Sequence, residues 1–263
     1  MHCALFPQGP TQPPYVPWAD LQAALERWRA EGRFEQAWFL LKPPGLRLRF
    51  HGRSLDARLE PLLVAWLEAA EARNAIRGFR FAPYEPETAR LGGPAGLRLA
   101  HDLFDRDSRV ALRYAALAPA DRAALPPDLF SLAVCHDLFA QCVGDAAELW
   151  DLWQRLAGAL GGPAALSPAD AAQQARVAAL LLEGAAEDRL PPALAALLAD
   201  ARAHNAAVAA RLHAATVARR LAVGPRAWLA TVTLFHWNRL TLTTAELGPL
   251  VAAVLAAFEG SGV

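Results

Sequence analysis

Arg47 and Arg49 stand two residues apart in the stretch Gly45-Leu46-Arg47-Leu48-Arg49-Phe50. Successive strand side chains point to opposite faces, so Leu46, Leu48 and Phe50 can enter a core while both guanidiniums project together on the other side. Their Cα atoms would then lie roughly 7 Å apart, two strand steps of ~3.3 Å each. Two planar donor forks at that separation can converge on one carboxylate or another oxyanion. The same spacing also fits a solvated outer strand face, so the pair gains weight only from what accompanies it.

Two further groups of residues do. Tyr84-Glu85-Pro86-Glu87-Thr88-Ala89-Arg90-Leu91-Gly92-Gly93 follows a short alternating run, Ile76 to Pro83, in which Phe79 and Phe81 face one way and Arg80 the other. Pro86 fixes the backbone there, and Gly92-Gly93 permits conformations other residues resist. If this span makes one helical turn, Glu87 and Arg90 share a face and can pair, which holds the carboxylate ionised and its partner oriented. The alternative is a local ion pair in a loop, of little energetic weight. Near the other end, Thr233-Leu234-Phe235-His236-Trp237-Asn238-Arg239-Leu240 embeds His236 among large apolar residues. Partial burial there could tune an imidazole for acid–base chemistry, with Asn238 and Arg239 as nearby donors. A histidine packed into the core for its shape fits equally.

The elements that must position these groups are of two kinds. Trp18 to Ala30 has helical spacing of Trp18, Leu21, Leu25 and Trp28. Ala37 to Leu41 is short enough for a buried strand, and Lys42-Pro43-Pro44-Gly45 is a turn signal leading into the arginine strand, so the two make a hairpin. Leu55 to Arg73 is an amphipathic helix carrying Leu59, Leu62, Leu63, Trp66 and Leu67. From about residue 94 the pattern is almost wholly helical, broken at Pro119, Pro126-Pro127, Gly161-Gly162-Pro163, Pro191-Pro192 and Gly224-Pro225. The alanine-rich stretch Ala164 to Ala222 keeps leucine spacing and reads as helices, not a linker. The expected class is α+β, a small N-terminal antiparallel sheet packed against a mainly α-helical body. Residues 1–17, with Pro7, Pro10, Pro13, Pro14 and Pro17, read as an extended lead-in, and 18–263 as a single domain.

Composition removes several functions. A chain of 263 residues can bury a real core, and 26 basic against 26 acidic residues give no global nucleic-acid or acidic-tail signature. Lys42 is the only lysine, so nearly all positive charge is guanidinium. Cys3, Cys135 and Cys142 fit no disulfide framework or metal spacing, and the latter two, seven apart in a helical pattern, pack as small apolar residues. Asp102, Asp105 and Asp107 tempt as a cation site, yet they flank an apolar helix face; capping or a solvated acidic face accounts for them better. His204 and His213 lack ligand spacing, and Arg219-Arg220 lacks the aromatic neighbours of a nucleic-acid surface. No signal peptide or membrane-spanning run is present, which points to a soluble cytoplasmic protein.

The motifs WFLLKPPGLRLRF at Trp38–Phe50, YEPETARLGG at Tyr84–Gly93, LFDRDS at Leu103–Ser108 and the late LFHWNRL, in this order, resemble the C-terminal elimination domain of lantibiotic dehydratases. The same domain occurs as freestanding thiopeptide-type bacteriocin biosynthesis proteins. The resemblance implies an enzyme acting on ribosomal peptides whose serine or threonine hydroxyls carry glutamate, esterified from glutamyl-tRNA by a separate domain. The elimination domain removes that glutamate and leaves dehydroalanine or dehydrobutyrine. It also implies that the family's arginines fall on Arg47 and Arg49, its glutamate–arginine pair on Glu87 and Arg90, and its late histidine on His236. One departure stands out: many members carry histidine just before the arginine strand, where this chain has Gly45 after two prolines.

β-Elimination fits these residue types. It needs a base for a weakly acidic Cα proton, stabilisation of enolate-like charge, and a departing carboxylate. Arginines aimed at that carboxylate stabilise charge that grows in the transition state. His236 is the preferred proton-transfer residue, Glu87 an orienter of Arg90, and Tyr84, Asn238 and Arg239 substrate contacts. The expectation is that the three guanidiniums and the imidazole gather around one glutamyl ester. No metal or organic cofactor is required. The expected partners are a precursor peptide and a separate glutamyl-tRNA-dependent glutamylating protein, with no direct nucleic-acid or membrane contact; exposed sheet edges or alanine-rich helices could support a homodimer. Two competing functions remain open. One is the [4+2] cycloaddition of pyridine synthases on a related scaffold, and the other is a non-catalytic peptide-binding subunit.

Overall fold

Strand β3 (Gly45–His51) buries Leu46, Leu48 and Phe50 on one face, as its alternation demands. It pairs antiparallel with β2 (Gln36–Lys42), in a register that sets Trp38 opposite Arg49 and Leu40 opposite Arg47. On its other side lies β1 (His2–Phe6), itself antiparallel to β4 (Gly78–Ala82), giving the order β2-β3-β1-β4. The hairpin and the alternation of Phe79, Arg80 and Phe81 follow the sequence pattern. Strand β1 does not: the residues taken as part of a lead-in form an inner strand. Five residues with Cys3 and Leu5 turned inward were too brief to register beside a run of prolines. Those prolines, and Pro43-Pro44, lie outside the described residues, because the computed structural model describes residues 1–6, 18–42, 45–166, 170–185 and 187–260.

The chain forms two compact units. The first comprises Met1–Pro86 with His101–Ala116, and the second Glu87–Ala100 with Leu117–Val263. In the first, the apolar sheet face presents Cys3, Leu5, Ala37, Phe39, Leu46, Leu48 and Phe50, all buried. Helix α1 (Trp18–Ala30) contributes Leu21 and Trp28 to this core, and its Trp18 ring lies 5.4 Å from that of Phe39. The helix expected over Leu55 to Arg73 is broken into α2 (Leu55–Arg58) and α3 (Glu60–Ala72), with Leu59 off helical geometry between them. Pro61 explains the break. Its ring would clash with the carbonyl of Ala57 in a continuous helix, whereas the first turn of a new one tolerates it.

Helix α4 (Gly93–Ala116) contributes to both units. Within the first, its residues 101–116 close the outer edge of β2. Asp105 Oδ1 accepts the Ala37 N–H at 2.7 Å and Ser108 Oγ accepts the Phe39 N–H at 3.1 Å. Arg29 Nη2 donates to the same Asp105 oxygen at 2.5 Å, and Gln36 Nε2 donates to Asp102 Oδ1. An edge strand would otherwise leave these main-chain donors unpaired. The three aspartates are therefore neither caps nor a solvated face. Asp105 and Asp107 are buried, and Asp102 and Asp105 hold the sheet. Among the described residues no group of His, Cys, Asp and Glu could hold a metal ion.

The second unit is helical throughout its described length: α5 (Pro119–Ala124), α6 (Pro127–Cys142), α7 (Ala146–Ala159), α8 (Ala171–Glu183), α9 (Pro192–Val217), α10 (Pro225–Arg239) and α11 (Thr244–Gly260). Proline opens α5, α6, α9 and α10, where its missing N–H costs nothing. Asp145 caps α7 by accepting the Glu148 N–H at 2.8 Å. Helix α6 is buried along much of its length and packs on α9, whose Asn205 donates to the Val134 carbonyl and to Asp137. Cys135 is buried, and burial pushes the Cys142 thiol up to about 12, so both behave as apolar fillers. No helix among the described residues is long and apolar enough to cross a membrane.

Replacing Asp105 by Ala should strand the Ala37 N–H and unpair Arg29, costing about 2–4 kcal/mol. Urea denaturation would show this as a lower midpoint at unchanged slope.

Candidate functional site

The strand register assembles a polar face in the first unit. Directly opposed residues point the same way, so one row across the sheet reads Trp38, Arg49, His2, Ala82 and the next Leu40, Arg47, Ala4, Arg80. Both central arginines are half-buried, which sets aside the solvated strand face. Arg47 Nη1 is buried with no hydrogen-bond partner among the described residues, and its guanidinium carbon lies 6.0 Å from the Phe6 ring. Two like charges on neighbouring positions of one half-buried face repel each other. An anion bound between them relieves that repulsion and supplies the missing partner.

Arg49 is held differently. Its guanidinium carbon sits 4.6 Å from the centre of the Tyr84 ring. The Tyr84 hydroxyl lies 2.9 Å from His101 Nε2, and the His101 ring stacks on Trp38 at 4.5 Å. Burial, with help from His51 and Arg49 and against Asp102, pushes the His101 imidazole down to about 4. Burial also lowers His2, opposed by its hydrogen bond with the Pro83 carbonyl and reinforced by Arg49 and Arg47. Both shifts come chiefly from burial, with the neighbouring positive charges adding to it. A pocket of about 570 Å³ opens nearby against Phe81, Ala82 and Pro83, lined by Met1 and His2 on one hand and by Asp56 and Glu60 on the other.

Sequence reasoning missed His101. Its one signal was position: it lies four residues before Asp105, on the same face of α4 that meets β2.

In the second unit the Glu87–Gly93 segment does make one helical turn. The Leu91 N–H bonds to the Glu87 carbonyl at 3.0 Å, and the Gly93 N–H to Thr88 at 2.8 Å. Arg90 Nη1 and Glu87 Oε2 pair at 2.9 Å, both exposed, so the pair orients more than it stabilises. Gly92 and Gly93 have φ of +79° and +81°, a left-handed corner that resists side chains. A Cβ at Gly96 would lie 1.9 Å from the Leu91 carbonyl oxygen, so the turn folds back tightly on its own helix. It is docked on the start of α10: the Ala222 N–H donates to Gly92 and Trp228 Nε1 to Gly96, at 2.9 and 3.1 Å. Arg90 then lies over Phe235, 5.7 Å from the ring centre. His236, the next residue, is buried, as is Arg239 one turn on, while Asn238 is half-buried.

Of the expected site residues, Arg47, Arg49 and Tyr84 therefore belong to the first unit. Glu87, Arg90, His236, Asn238 and Arg239 belong to the second.

The family model for the lantibiotic biosynthesis dehydratase C-terminal domain matches residues 19–257, and the chain belongs to that family. No curated protein sequence matches the chain. Among solved structures, it is similar to the tRNA-dependent lantibiotic dehydratase MibB from Microbispora sp. 107891, at 22% identity and a TM-score of 0.73. That similarity covers 99% of this chain, which spans only 28% of MibB. The protein TsrL is similar at 18% identity and a TM-score of 0.54, over 100% of this chain and 95% of TsrL. At these identities the likeness shows the fold. Family membership supports a role in lantibiotic-type peptide biosynthesis.

The depressed His101 imidazole gives a direct check. The unfolded chain takes a proton near the ordinary value of ~6.5 while the folded one stays neutral, so this contribution to stability is complete above that pH and declines as pH falls toward about 4. The His101 Cε1–H NMR resonance should titrate near 4; a midpoint at the ordinary value would contradict the burial.

Proposed function

We propose that this chain eliminates glutamate from glutamylated serine or threonine of a ribosomally made precursor peptide. The observation that carries the proposal is the pair of half-buried guanidiniums on β3, one with a buried Nη1 lacking a partner among the described residues. Such a face suits a carboxylate-bearing ligand.

In the reaction a base removes the Cα proton, the Cβ–Oγ bond breaks with its electron pair leaving on the glutamate carboxylate, and the Cα–Cβ double bond forms. Arg47 and Arg49 bind the glutamate's free side-chain carboxylate and the charge that grows on the departing α-carboxylate. His236 moves the proton; its burial keeps bulk water away. Arg90, aligned by Glu87, adds a further cation, and Asn238 and Arg239 contribute donors to the peptide. No metal or cofactor enters, because esterification has already supplied the leaving group. The acyl transfer from glutamyl-tRNA belongs in this reading to a separate protein, and both act in the cytoplasm, where charged tRNA is made.

Purified protein incubated with a peptide carrying one glutamyl-serine ester should release free glutamate and leave dehydroalanine, read by mass spectrometry. Arg49→Ala and His236→Ala should each lower kcat/KM by about 10²–10³, as loss of one transition-state contact commonly does. Release of a leader fragment instead would favour cycloaddition, and undiminished dehydration by both variants would favour a peptide-binding subunit.

A further inference from the structure

His101 has no task in the mechanism above, yet it closes a cluster of three rings beneath Arg49. Trp38 and Tyr84 meet edge to face with centroids 5.8 Å apart, Tyr84 and His101 at 5.7 Å, and His101 and Trp38 at 4.5 Å. Each ring touches the other two. Trp38 is also the cross-strand neighbour of Arg49, and Tyr84 carries the guanidinium on its face. Four elements supply the cluster: β2, β3, α4 and the segment leaving β4.

We propose that Tyr84 and His101 are a positioning pair for Arg49, with His101 locking the phenol ring against the guanidinium. This deepens, and rests on, the reading of Arg49 as a carboxylate-binding group. An arginine side chain has several free torsions and gains little as a receptor while it samples them all. Stacking on Tyr84 fixes the plane of the guanidinium while engaging its face, not its N–H edge. The stack holds only if the ring beneath is itself fixed. The Oη–Nε2 hydrogen bond at 2.9 Å does that, and the stack of His101 on Trp38 anchors the imidazole in turn. Tyr84 is thereby a support for Arg49 and not the direct substrate contact expected of it.

The lock requires an uncharged imidazole. With Nε2 unprotonated, the phenol donates to it; in the imidazolium Nε2–H would donate to the phenol oxygen instead, and the added positive charge beneath Tyr84 would repel Arg49 from the ring. The charged and titratable groups around His101 are Arg49 and His51 from β3, Asp102 from α4 and the Tyr84 phenol, with His2 of β1 opposite Arg49. Asp102 alone favours protonation, and its carboxylate is also engaged by Gln36. The neutral form is therefore kept over the working range, and the lock opens only as pH falls through about 4.

The test uses two variants that keep the rings. Tyr84→Phe removes one hydroxyl, and His101→Phe keeps a ring against Trp38 but ends the hydrogen bond. The Arg49 Nε–H NMR signal, assigned by its loss in Arg49→Lys, is shifted by the ring current of Tyr84. In both variants it should move toward the position of a solvated arginine, as it should in the wild type below pH 4. KM for the glutamyl peptide should rise about tenfold, with kcat changed less. His101→Phe added to Arg49→Lys should cost nothing further, because the histidine acts through the arginine. An unmoved Arg49 signal in Tyr84→Phe, or a full tenfold added loss in the double variant, overturns the proposal. Tyr84→Phe decides the matter alone if His101→Phe fails to fold. The NMR readout needs no turnover: a signal that moves in a wild type unable to eliminate glutamate upholds the positioning pair and refutes the proposed reaction.

Discussion

Strand β3 must do two incompatible things with seven residues, and alternation is the only geometry that lets it. Leu46, Leu48 and Phe50 close an apolar core, so Arg47 and Arg49 are forced together onto the opposite face. In water that proximity would be of little consequence. Half-buried, it is a standing repulsion that neighbouring side chains must tolerate and an anion can relieve. Burial lowers the proton affinities of His2 and His101, and the same arginine charge lowers them further.

One helix serves both sides of this arrangement within the first unit. Residues 101–116 of α4 give Asp105 and Ser108 to the open edge of β2, and His101 to the stack that carries Arg49. The spacing of four between His101 and Asp105 places both on one helical face. The position of the guanidinium and the integrity of the sheet edge are thus consequences of a single docking. Removing the edge contacts would therefore disturb the arginine face as well.

Much of this was legible in the sequence where a short-range rule applied. The period-two pattern around Arg47 located β3 and its hairpin partner, and proline and glycine punctuation located most helix starts. The i, i+3 spacing of Glu87 and Arg90 anticipated a turn that does form. What escaped depended on partners distant in the chain. Strand β1 is too short for its alternation to stand out, and only pairing on both sides makes it a strand. Asp105 looked like surface acid until Ala37 and Arg29 arrived opposite it. His101 carried no motif of its own, because its role comes from Trp38 and Tyr84, sixty-odd and seventeen positions away. The break at Pro61, by contrast, was readable and was overridden by a convincing leucine stripe.

The cysteines acquire a meaning from the proposed chemistry. Dehydroalanine and dehydrobutyrine are electrophiles that thiolates alkylate readily, so an enzyme releasing them risks tethering itself to its own product. Here Cys3 and Cys135 are sealed inside the protein, and burial lifts the thiols of Cys3 and Cys142 to about 12, leaving scarcely any thiolate to attack. Packing chosen for volume doubles as chemical silence.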